Sequence, residues 1–91
     1  MHGEATPQVE RAPEQAALTR AVEQMAKVLG ADEAERVLAE CMRGLALDEV
    51  RSPQDLLRIA DRLVQAGGFV AVVGGSLRVQ AILAGARPAA A

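Results

Sequence analysis

Protein chemistry usually needs a nucleophile beside a base, a cluster of metal ligands, or a glycine turn over a phosphate. The chain offers a fragment of each. Cys41 is its only cysteine and His2 its only histidine. A Cys–His or Ser–His pair would have to draw its base from the N-terminal tail. Cys41 falls on the apolar side of an expected helix, where a thiol reads as a small buried hydrophobe. Asp32, Glu33 and Glu35 crowd a helix start, where the dipole accounts for them without metal or proton chemistry. Asp48 and Glu49 read as solvated turn residues. A single cysteine excludes a disulfide framework and a cysteine-based metal site.

The segment VAVVGGS, Val70 to Ser76, looks like the first strand and glycine turn of a dinucleotide-binding unit. That fingerprint needs G-x-G-x-x-G, a following helix, a second strand and an acid about 20 residues on. Here Gly74-Gly75 is followed by Ser76-Leu77-Arg78, and sixteen residues remain after Gly75. No βαβ unit fits. The sequence therefore carries no enzyme signal: no catalytic residue, cofactor or metal is expected, and no small-molecule substrate is evident.

The elements that would position any site are mostly helices. Pro13 suits a first helical position, Leu18, Val22, Met25 and Leu29 form one apolar stripe, and Gly30 marks the stop. A second helix is expected from Asp32 as N-cap with Glu35 as its capping-box partner. Ala34, Val37, Leu38, Cys41 and Met42 form its apolar side, and Gly44 ends or kinks it. After a linker over 45–51, Ser52, Pro53 and Asp55 spell a third helix start. Leu56, Leu57, Ala60, Leu63 and Val64 would be buried, and Gly67-Gly68 closes the helix.

The stretch from Gly67 to Gly85 admits three readings. A β-hairpin is expected first: Phe69–Val73 and Ser76–Ile82 flank Gly74-Gly75, a two-residue loop suited to primed turns. In that register Val72 faces Leu77 and Val70 faces Val79. The runner-up is a buried fourth helix from Phe69 to Ala84, at about 1 kcal/mol for each interior glycine. Least favoured is a strand followed by a short helix from Ser76. The expected fold is thus mainly α (α+β): a three-helix core followed by a C-terminal β-hairpin, in winged-helix-like order, with an all-α four-helix bundle as the alternative. Residues 1–12 and 86–91 are expected as flexible tails around one domain over 13–85.

Composition bounds the function. Of the 46 residues behind the 51% apolar content, 19 are alanine, so large core side chains are few and self-association would help stability. The longest uncharged run, Leu63 to Leu77, has 15 residues, short of the roughly 20 that span a bilayer. No membrane segment is expected, and the N-terminus lacks a signal-peptide pattern, so a cytoplasmic location is the expectation. Residues 1–50 carry net charge −5 and residues 51–91 net +3. That asymmetry and the surplus of apolar residues near the C-terminus point to a non-enzymatic protein–protein interaction module, a small adaptor or regulatory subunit. It would self-associate as a homo-oligomer or dock on a larger protein partner. Phe69, Val70, Val72, Val73 and Leu77 would form the contact, with Arg58, Arg62 and Arg78 orienting it through charge. The alternative is a winged-helix nucleic-acid binder using Arg58 and Arg62 on the third helix and Arg78 on the wing. A net charge of −2 argues against it, because phosphate neutralisation supplies most of such affinity.

Overall fold

The computed structural model describes residues 13–88; the N-terminal tail expected over 1–12, with His2, and residues 89–91 lie outside the described residues. Four helices follow one another: α1 (Pro13–Leu29), α2 (Ala31–Leu45), α3 (Pro53–Ala66) and α4 (Gly68–Leu83). No strand is present among the described residues. The expected β-hairpin and its winged-helix order are therefore corrected to the alternative, an all-α four-helix arrangement.

The physical reason lies in how α4 meets its neighbour. Wound as a helix, the segment puts Val70, Val73, Gly74, Leu77 and Ala81 on one side, at spacings of 3, 1, 3 and 4. Val73, Gly74, Leu77 and Ala81 are buried there. Gly74 is a contact site rather than a turn: a Cβ on it would lie 2.8 Å from Leu63 Cβ, 2.8 Å from Val64 N and 2.9 Å from Ala60 O. The missing side chain lets α4 settle on the backbone of α3, and the packing gained offsets the helix propensity lost.

Glycines turn the chain at two places. Gly30 (φ 92°) donates to Ala26 O and accepts from Ala34 N, so it ends α1 and caps α2. The expected N-cap at Asp32, with its Glu35 capping box, is replaced by Gly30 without a side-chain cap. Glycine needs no side chain to take that positive φ, and Asp32 and Glu33 in the first turn still complement the helix dipole. Between α3 and α4 two consecutive glycines take positive φ, Gly67 (79°) and Gly68 (61°), with Ala71 N donating to Gly67 O at 3.2 Å.

Gly44 does not end α2, which runs to Leu45 and closes on Ala46 in the left-handed conformation (φ 59°). Leu47 N donates to Met42 O and Ala46 N to Arg43 O, a Schellman motif. The same pair of bonds ends α4, from Ala86 N to Ala81 O and Gly85 N to Ile82 O. Ser52 caps α3 as its sequence predicts, accepting from Asp55 N at 3.1 Å.

Met25, Leu56, Leu57, Ile59, Leu63 and Leu77 are the largest fully buried side chains. Helix α4 packs chiefly on α3 and then on α1, while α1 pairs with α2. Past α4, Ala86 is buried, and Gln54 grips Arg87 at two points: Nε2 donates to Arg87 O and Oε1 accepts from Arg87 N, both at 2.9 Å.

Candidate interaction face

The buried stripe of α4 leaves an opposite side that is also apolar. Phe69, Val72, Ser76, Val79 and Leu83 recur at spacings of 3, 4, 3 and 4, the period of a helix–helix seam. Their exposures are 36% for Phe69, 67% for Val72, 57% for Val79 and 82% for Leu83. The sequence reading named Phe69 and Val72 but missed Val79 and Leu83. Counting Gly74 as a core contact would have set the helical phase and brought them out.

The other expected contact residues fall elsewhere. Val73 and Leu77 are 3% and 1% exposed and belong to the core. Val70 is half-buried against that core. The buried positions of a helix recur at about 3.6 residues, so alternate residues of the expected strand land on different sides.

The three arginines act within the fold. Arg58 Nη2 donates to Leu45 O at 3.4 Å, at the negative end of the α2 dipole, and Arg58 Nη1 lies 3.8 Å from Asp55 Oδ1. Arg62 rests its guanidinium over Gly44, where a side chain would collide with it. Arg78, the only charged residue of α4, donates to Asp61 Oδ1 at 2.9 Å and ties α4 to α3. With residues 69–83 helical there is no wing, and Arg78 goes to a carboxylate of α3.

Shallow clefts surround these elements. One of about 240 Å³ between α1 and α4 is lined by Arg20, Gln24, Lys27, Ser76 and Gln80. Another of about 250 Å³ runs between α2, α3 and the start of α4, with Cys41 and Leu63 inside and Glu40 and Arg62 on its rim. The Cys41 thiol is buried and donates to Ile59 O at 3.7 Å. Burial pushes its pKa up, and the charge of Arg62 offsets part of the rise. Two of the four acids of α2, Glu33 and Glu40, are bridged by Arg36. Its guanidinium holds the exposed Glu33 carboxyl below the usual range. No group of three or more His, Cys, Asp or Glu side chains that could hold a metal occurs among the described residues. No helix of the described residues is long and apolar enough to cross a membrane.

Comparison with known protein families, with curated proteins and with solved structures finds no match for this chain. The face of α4 is therefore read from its own geometry.

Proposed function

We propose that the chain is a non-enzymatic protein-interaction module whose contact face is the outer side of α4. One observation carries this: a helix already packed on α3 and α1 keeps a second apolar stripe, Phe69, Val72, Val79 and Leu83, open to water. Scattered surface leucines and valines are ordinary. Four on one helix at seam spacing are not, because exposed apolar area of this kind is hydrated at a free-energy cost that a partner removes. The period fits a partner that presents another uncharged helix side, with knobs entering holes.

Photo-crosslinking in cells producing the chain tests the reading. A benzoylphenylalanine placed at Val72 or Val79 is expected to give defined protein adducts, and one at Glu35 on the outer side of α2 none. Absence of adducts at Val72 and Val79, or equal labelling at all three positions, overturns it.

A further inference from the structure

Two glycines stand side by side inside α4, and only one has a reason within the chain. Gly74 meets α3, whereas a Cβ on Gly75 would meet nothing within 4 Å. An interior glycine weakens a helix relative to alanine. Gly75 borders the exposed stripe at its middle, next to Ser76, so open space there suits the close approach of a backbone that one copy of the chain does not contain.

The stripe is also symmetric about that point. Val72 and Val79 are equidistant from midway between Gly75 and Ser76, and Phe69 and Leu83 from Ser76 itself, so the four apolar members pair about one point to within half a residue. We propose that a second copy of this chain docks on the face, α4 against α4, antiparallel about a two-fold axis between Gly75 and Ser76. The proposal rests on the interaction reading above and names its partner. A two-fold contact uses the same patch on both subunits, so the patch must complement itself. Val72 of one copy then lies beside Val79 of the other. Leu83, the most exposed of the stripe, meets the end of the other copy's stripe where Phe69 stands. Antiparallel helix dipoles attract. Because Arg78 is held by Asp61, the face is neutral and two copies meet without like-charge repulsion.

The magnitude sets the class of complex. A helix of 16 residues presents a strip about 24 Å long and about 10 Å wide. Each copy therefore contributes a few hundred Å², below the roughly 800 Å² per partner of a stable interface. The association is weak and concentration-dependent.

Sedimentation and cysteine pairing test it on the full chain. A monomer–dimer equilibrium is expected by about 1 mM protein. A Val72→Cys chain mixed with a Val79→Cys chain is expected to form the mixed disulfide, with neither forming its own. Gly75→Ala is expected to raise the urea midpoint at dilute protein while weakening dimerisation by about tenfold or more. A strict monomer at that concentration, a self-disulfide of Val72→Cys, or dimerisation unchanged by Gly75→Ala overturns the proposal. If the adducts at Val72 carry a protein of another kind while the chain stays monomeric, the second copy is overturned and the interaction reading stands.

Discussion

Gly74 lies so close to Leu63 that a Cβ on the glycine would come within 2.8 Å of the leucine Cβ. Leu63 and the α3 backbone are fully packed, so neither can withdraw cheaply. Gly74→Ala is expected to destabilise the fold by about 1–3 kcal/mol through overpacking, despite the better helix propensity of alanine. Urea unfolding at dilute protein checks this. Gly75→Ala, one residue on, should move the midpoint the opposite way by up to about 1 kcal/mol. Equal shifts for the two variants would remove the contact with α3 as the reason for Gly74.

Ala46 closes α2 with φ 59°, a region where a Cβ is strained. Ala46→Gly relieves that strain but frees the unfolded chain, leaving a net gain of about 0.5–1 kcal/mol. A rise in the thermal midpoint with unchanged helical circular dichroism is the expected observation. A fall would show that the strain is already relaxed.

Burial raises the Cys41 pKa, which gives stability a pH dependence of known sign. The folded chain holds the thiol proton more tightly than the unfolded chain. Its contribution is full below the ordinary thiol value of about 8.5 and is lost as pH climbs through the folded value. Wild type should therefore lose more stability between pH 8 and pH 10 than Cys41→Ala does, measured by urea midpoints across that alkaline range. Parallel slopes for the two chains would contradict the assignment.

Adjacent valines on α4 should respond in opposite ways to the same charge. Val72→Glu leaves the dilute chain within about 0.5 kcal/mol of wild type, because position 72 faces water. Val73→Glu places a carboxylate in the core and is expected to cost about 3 kcal/mol or more. Amide exchange of α3 and α4 reads both. Similar protection in the two variants would mean that the helical phase is wrong.

The first three helices were legible because their punctuation is local. Pro13, Gly30, Ser52-Pro53 and Gly67-Gly68 act within a turn of where they stand, and the apolar spacing between them is helical. Fourth-helix identity was not legible. Paired glycines and β-branched residues favour a turn between strands locally, and a tertiary contact decided otherwise: Gly74 against Ala60, Leu63 and Val64, 10 to 14 residues earlier. The error then propagated, since a hairpin sorts Val70 to Ile82 by twos and a helix sorts them by threes and fours. Phe69 and Val72 came out exposed under that different phase, while Val79 and Leu83 emerged only from it. Gly44 misled for a related reason: its bare Cα serves the Arg62 guanidinium and not a helix end.

Glycine corners at Gly30 and at Gly67-Gly68 divide the described chain into two pairs of consecutive helices, α1–α2 and α3–α4. Most helix contacts then join neighbours in sequence, and the packing of α1 on α4 is the chief link between the ends. In kinetic terms this is a low contact-order topology, for which loop closure is cheap and folding falls in the microsecond-to-millisecond range. The packing of α4 on α1, with a smaller contact between α2 and α3, joins the two pairs.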